Sequence, residues 1–332
     1  MRGQYTARRQ KHRCFGSVGK HLEDGPLRIA LIGQAAFAEK ALEALLKHGD
    51  EIVQVFSPPD PASGKPDPLT AKARELKLPL SQPKSFKNDA AFEQFRSLNA
   101  DLAILAFVTL IVPERVLYAP RHKSICFHPS LLPRHRGASS INWTLIAGDT
   151  ETGVTWFWPD KGLDTGPILI QKRVAVEPND TVGSIYFNRL FPLGIDSMIE
   201  AIDLIQTGRA PSIVQDETRA TYEAICRDEH AKIDFSKPAL EVHNLIRGCD
   251  PQPGAYADAS GHRIRLYEPS LESTPTSAVP GSIVSIGADG MKIALAGGTL
   301  TIKRARIEPD GKKAAPAELA SSGAIRNGLQ LS

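Results

Sequence analysis

Cysteine is scarce in this chain. Four occur among 332 residues (Cys14, Cys126, Cys226 and Cys249), with no CxxC pair and no cysteine–histidine cluster at zinc spacing. That excludes a disulfide framework and a structural zinc site, and no metal is expected. Unpaired thiols fit a reducing cytosol, so a cytoplasmic location is expected. No apolar run approaches the roughly 20 residues that a membrane span needs, so no membrane association is expected. Acidic residues are missing from the first 22 positions, which hold six lysines and arginines. Without those six the formal charge of +3 becomes 34 basic against 37 acidic residues, about −3. A body so balanced has little general attraction for nucleic acid. The basic leader, 1–26, reads as a disordered tail or an upstream start, with an organelle transit peptide and a nucleic-acid arm as alternatives.

A second glycine is missing where a dinucleotide site would need it. The first strand–helix turn reads Gly33-Gln34-Ala35-Ala36-Phe37-Ala38. Without a further glycine the backbone cannot approach a pyrophosphate closely, so no NAD(P) is expected on this turn.

What is present is a strand–helix alternation. Strands are expected at 27–33, 52–56, near Leu80, and at 100–107, 124–127 and 154–158. Helices are expected at 36–47, 69–76, 89–98 and 181–206, with a proline-rich loop at 57–68. This order predicts an α/β fold with a Rossmann-like, doubly wound and mostly parallel sheet over 27–206. A polar linker, 207–221, follows. The remainder, 222–332, carries one helix (239–247) and short strands near 263–267, 281–286, 291–294 and 299–307, the pattern of a smaller OB-like β-barrel. The Pro/Ser/Thr-rich stretch 270–280 reads as a loop.

Two motifs carry chemistry. HPSLLPRHRG (128–137) places His128 just past an apolar strand, and Gly162-Leu163-Asp164-Thr165-Gly166 places a carboxylate in a tight loop 36 residues later. Ligands on doubly wound sheets bind beyond the carboxyl ends of the strands. Histidine titrates near neutrality and needs a partner to hold its tautomer, a service that Asp164 can give. The alternatives are a strand-end histidine satisfied by a backbone bond and an Asp-Thr-Gly turn whose carboxylate caps an amide. Cys126 lies two residues before His128, as an apolar strand residue or a nucleophile.

HPSLLPRHRG together with GLDTG resembles the folate-dependent formyltransferase family. Segments 28–34, 64–69, 119–122, 137–146, 177–182, 231–234 and 246–248 extend the likeness over about 27–310. They resemble the amino-terminal hydrolase domain of 10-formyltetrahydrofolate dehydrogenases, and more distantly methionyl-tRNA formyltransferases. The resemblance implies 10-formyltetrahydrofolate as formyl donor, with His128 and Asp164 catalytic. It implies a pterin pocket lined by Leu110, Ile111, Val112 and Pro113, with Asp160 bonding the ring. Ser130 joins the folate-binding set or shapes the turn that presents His128. Arg134–Gly137 is either a contact for the folate glutamate tail or a solvated loop. The family pattern Asn-x-His departs here to Cys126, a weak donor, as it departs in the hydrolase domain. No counterpart of the dehydrogenase's acyl-carrier-like segment or its aldehyde dehydrogenase domain occurs in these 332 residues, so neither NADP nor a phosphopantetheine arm is expected.

Hydrolysis of 10-formyltetrahydrofolate, or transfer of its formyl group, is therefore the expected activity, with a small-molecule folate as partner. Transfer to methionyl-tRNA is disfavoured, transfer to a nucleotide-linked amino sugar stays open, and a non-catalytic folate-binding protein is the reading from another class. Sequence leaves the oligomeric state open.

Overall fold

The computed structural model describes residues 25–332 apart from Ser63 and Pro275, so nearly all of the basic leader lies outside the described residues. Chain order is β1 (Arg28–Gly33), α1 (Ala35–His48), β2 (Glu51–Phe56), α2 (Pro68–Glu75), β3 (Leu80–Ser81), α3 (Asp89–Ser97), β4 (Leu102–Ala106), α4 (Glu114–Leu117), β5 (Ser124–His128), α5 (Ser140–Ile146), β6 (Glu151–Phe157) and β7 (Ile168–Ala175). These seven strands form one sheet in the order β3-β2-β1-β4-β5-β6-β7. Pairing is parallel from β3 to β5 and antiparallel between β5, β6 and β7. The order reverses at β1/β4, the switch point beyond which such sheets bind ligands.

Strand alternation sets the faces. In β5, Ile125 and Phe127 join the core that carries α1, where Phe37 stacks on Phe127 with ring centroids 4.1 Å apart. The intervening Cys126 packs with the opposite core, among Phe86, Phe95, Val116 and Leu117. A period of two therefore commits Cys126 and His128 to the same face.

The α1 amino terminus follows Gly33, whose ideal Cβ would lie 2.3 Å from the Ala106 carbonyl oxygen. The first free helix amide, Ala35 N–H, donates to Asp67 Oδ2 at 2.8 Å, and Asp67 Oδ1 accepts from Leu69 N–H at 2.9 Å. One carboxylate thus answers two helix starts.

The expected helix over 181–206 is interrupted. It comprises α6 (Val182–Ile185), a π-turn at Tyr186–Leu190, and α7 (Phe191–Gln206). A π-turn leaves the apolar periodicity almost intact, which hides it from sequence. Strand β7 was not expected either. Its centre, Gln171-Lys172-Arg173, is polar because it forms a sheet edge, where one side meets water.

Beyond α8 (Ala239–Gly248), β8 (Tyr256–Ala259), β9 (His262–Glu272), β10 (Ile283–Gly287), β11 (Gly290–Leu295) and β12 (Gly298–Ile307) form a five-stranded antiparallel sheet in the order β10-β11-β12-β9-β8, the core of a small barrel-like domain. Strand β8 and a terminal α9 (Pro316–Ser321) add to the expected elements. Helix α5 packs on α8, and Asn142 Nδ2 donates to the Gly248 and Gln252 carbonyls, so the two parts are joined directly. No helix among the described residues is long and apolar enough to cross a membrane.

Gly33→Ala must push against a main-chain carbonyl rather than a flexible side chain. We expect it to lower stability by about 1–3 kcal/mol, read as a reduced urea midpoint at unchanged slope.

Candidate active site

His128 is the last residue of β5 rather than the first beyond it, and it is buried. Its Nε2 lies 2.8 Å from the His135 carbonyl oxygen. A carbonyl only accepts, so Nε2 carries the proton and Nδ1 of the neutral ring holds the lone pair. That lone pair faces Asp164 Oδ2 at 3.6 Å, too long for a direct hydrogen bond. The tautomer is therefore set by the His135 carbonyl, not by Asp164 as the sequence suggests. Two acceptors 3.6 Å apart form a receptacle for a small donor placed between them.

Asp164 is aimed by its surroundings. Its backbone is left-handed at φ 58°, an uncommon state for a side-chain-bearing residue, and Oδ2 accepts from Gly137 N–H at 2.8 Å. Gly137 is itself left-handed (φ 111°), and a Cβ there would lie 2.8 Å from the Glu223 carbonyl oxygen. His135 shares the left-handed state at φ 56°. Strain of this kind persists only where surrounding contacts enforce it.

Those contacts lie in the motif. His135 is buried, with Nδ1 3.1 Å from Glu223 Oε1 and Nε2 2.9 Å from Asp149 Oδ2. Its backbone N–H donates to Thr221 Oγ1 at 2.8 Å. Arg136 is 1% exposed and donates to Glu217, Gln215 Oε1 and the Tyr222 hydroxyl. Only Arg134, half-exposed and paired with Asp149 at 2.8 Å, fits the solvated or ligand-facing loop expected for 134–137. The sequence offers His135 and Arg136 only as part of that loop; their burial and their side-chain partners are not legible in it.

The remaining expected site residues divide. Ser130 is fully buried and its hydroxyl donates to the Arg134 carbonyl at 2.7 Å, which ties it into the turn after β5. Asp160 Oδ1 accepts from Gly162 N–H at 2.9 Å and Thr165 Oγ1 at 2.5 Å, bracing its own loop. Asp160 lines an open cleft of about 530 Å³ with Tyr118, Trp158 and Pro159, whereas Leu110 lines a separate cleft of about 10 Å³ with Gly33 and Val108. Leu110 and Val112 are half-buried against the core, Pro113 is half-buried, and Ile111 is 70% exposed. Leu163, beside Asp164, is 62% exposed. Exposed apolar side chains on both loops suit a flat ring.

Cys126 is half-buried and its thiol makes only a 3.8 Å approach to the neighbouring Phe127 carbonyl. Burial pushes its ionisation well above the ordinary thiol range, and the Asp164 charge adds to that. A thiol so held stays protonated at neutral pH, which disfavours it as a nucleophile.

An imidazole nitrogen set at the end of a doubly wound sheet, 3.6 Å from a carboxylate, is a geometry that can serve proton transfer on a small nucleophile in an α/β enzyme. Its lineage is defined too. The chain belongs to the formyl transferase family: the model of the formyl transferase domain matches residues 27–202, and that of the formyl transferase C-terminal domain matches 226–324. It is 47% identical over 259 residues to the mitochondrial 10-formyltetrahydrofolate dehydrogenase of Mus musculus, which covers 76% of this chain but 28% of that protein. It is 35% identical over 280 residues to the methionyl-tRNA formyltransferase of Trichlorobacter lovleyi, covering 83% of this chain and 88% of that one. The chain thus spans less than a third of the length of the dehydrogenases. In fold it is similar to HypX from Aquifex aeolicus in complex with tetrahydrofolic acid, with TM-score 0.66 and 18% identity over 89% of this chain and 47% of that one.

Iodoacetamide should modify Cys126 far more slowly than an unperturbed thiol at pH 8. Because the Asp164 charge opposes ionisation, Asp164→Asn should speed the labelling; peptide mass mapping reads both.

Proposed function

We propose that this chain acts on 10-formyltetrahydrofolate, releasing tetrahydrofolate and formate by hydrolysis. The observation that carries the reading is the arrangement of His128, with Nε2 held by the His135 carbonyl and Nδ1 open towards Asp164. Water placed between Nδ1 and Oδ2 donates one proton to each acceptor. Its oxygen attacks the formyl carbon while Nδ1 takes a proton, and Asp164 stabilises the imidazolium that forms. Backbone donors, with a weak contribution from the protonated Cys126, meet the charge that develops on the formyl oxygen. When the carbon–N10 bond breaks, His128 returns its proton to N10, tetrahydrofolate leaves, and the formic acid formed gives its remaining acidic proton to solvent and leaves as formate. The apolar loop around Ile111 and the loop of Asp160 and Leu163 are the proposed walls for the pterin ring. The limits 27–206, 207–221 and 222–332 remain our division of the chain into catalytic domain, linker and barrel. Free thiols at Cys126, Cys226 and Cys249 support a reducing, cytoplasmic setting.

A second reading rests on the 35% identity to methionyl-tRNA formyltransferase along most of that relative's length. The same receptacle also accepts an amine, so in this reading the formyl group passes to an amino acceptor.

With 10-formyltetrahydrofolate alone, the purified protein should release tetrahydrofolate and formate in equal amounts. His128→Ala and Asp164→Ala should each lower turnover by about 10²–10⁴-fold while still binding 5-formyltetrahydrofolate. Near-native turnover in both variants would sink the assignment. Binding without release by the native chain would favour the amine reading, tested next with nucleotide-linked amino sugars and charged tRNA.

A further inference from the structure

The interdomain stretch has a polar, proline-containing composition suited to a solvated tether, yet it packs against both halves of the candidate site. Ile213 pairs with Ile168 through two backbone bonds at the start of β7. Thr221 and Glu223 run parallel to the 133–137 loop: Arg136 N–H donates to the Thr221 carbonyl at 3.0 Å, and Glu223 N–H donates to the Arg136 carbonyl at 3.3 Å. Between them Gln215 is buried at 5% exposure.

The orientation of the Gln215 carboxamide is dictated by its neighbours. Arg136 offers only donors, so the amide oxygen must face it, and Nη2 approaches Oε1 at 2.7 Å. The amide nitrogen then points the other way and donates to the Asp164 carbonyl at 2.8 Å and to the Gly166 carbonyl at 2.7 Å. These bonds hold the main chain of a residue in the left-handed region, while Gly137 N–H aims its carboxylate.

We propose that Gln215, supplied by the interdomain segment, is a positioning residue for Asp164. The inference rests on the reading of Asp164 as the partner of His128. Without the two amide donors, the 164–166 main chain is free to leave its strained conformation, and the carboxylate departs from the 3.6 Å separation that receives the nucleophile. Misplacement by about 1 Å costs on the order of a hundredfold in rate without weakening substrate binding. The consequence for the enzyme is that the orientation of the segment leading into the second sheet is read directly at Asp164.

The test uses the full chain with Gln215→Met, which keeps the volume and removes both donors, together with the acceptor that faces Arg136. Turnover of 10-formyltetrahydrofolate is measured beside the ¹H–¹⁵N shift of the Gly137 amide, whose proton is bonded to Asp164 Oδ2. The expected result is a kcat lowered by about ten- to a hundredfold at a KM within about twofold. The Gly137 amide should move in the same direction as in Asp164→Asn, and folding should be intact by thermal melting. An unmoved amide, or unchanged kcat, overturns the proposal. If Gln215→Met does not fold, Gln215→Glu retains the acceptor for Arg136, removes the donors at pH 8 and is judged by the same criteria. Should the native chain turn over no formyl donor, the functional reading fails, and the Gly137 shift alone decides whether Gln215 sets Asp164.

Discussion

A guanidinium carried to 1% exposure must have acceptors around it, because arginine keeps its charge at any ordinary pH and its nitrogens only donate. For Arg136 those acceptors are Glu217, Gln215 and the Tyr222 hydroxyl, and the Tyr222 ring lies 4.9 Å from the guanidinium carbon. All of them belong to one stretch of chain, 215–222, so satisfying the charge fastens that stretch to the loop after β5. Once fastened, its next residues reach His135 and its first reaches Asp164. The elements that hold the His128 tautomer and the Asp164 loop therefore share one electrostatic origin, although one side chain ends β5 and the other lies in the loop between β6 and β7. Leaving such a charge unpaired would cost far more than the pairing gains, which makes the attachment obligatory for the folded state.

Three of the left-handed side-chain-bearing residues lie at the ends of strands that face this region. Phe107 after β4, His135 after β5 and Asp164 before β7 all have φ between 56° and 60°. Each such residue costs about 1–2 kcal/mol relative to an ordinary backbone state. For His135 and Asp164 the compensating contacts are side-chain bonds from Thr221, Glu223, Asp149 and Gln215. The Phe107 ring is exposed.

Legibility from sequence follows the physics of each signal. Strands such as β1 and β4 are unbroken apolar runs because both faces are covered by helices, and they could be read directly. Strand β7 is an edge and carries Gln171-Lys172-Arg173 in its centre, so composition conceals it. His128 and Asp164 could be singled out because each stands in a recognisable motif, and the structure brings the two side chains within 3.6 Å of each other. The carbonyl of His135 was not, since every residue offers one and only the turn decides where it points. Gln215 was still less so: its bonds to the Asp164 loop span 51 positions, and nothing in a polar linker marks one amide as buried. Ser130 is ambiguous for a related reason, because a hydroxyl beside such a motif serves a turn as readily as a ligand, and here it bonds the Arg134 carbonyl.

The balance between activating the nucleophile and activating the electrophile bears on the acceptor. Alternation along β5 obliges residue 126 to share a face with residue 128, so whatever stands there either bonds the substrate or packs beside it. A protonated thiol packed against the same core as half-buried Val108, Leu110 and Val112 is a weak donor, unlike the asparagine of the Asn-x-His pattern. The His128–Asp164 pair, in contrast, is complete and buttressed from several directions. An amine is already a competent nucleophile and benefits most from polarisation of the carbonyl. Water is a poor nucleophile and benefits most from a base with its lone pair exposed. A chain that carries the first aid only weakly is better matched to water, and on that ground we propose hydrolysis ahead of transfer despite a receptacle that admits both.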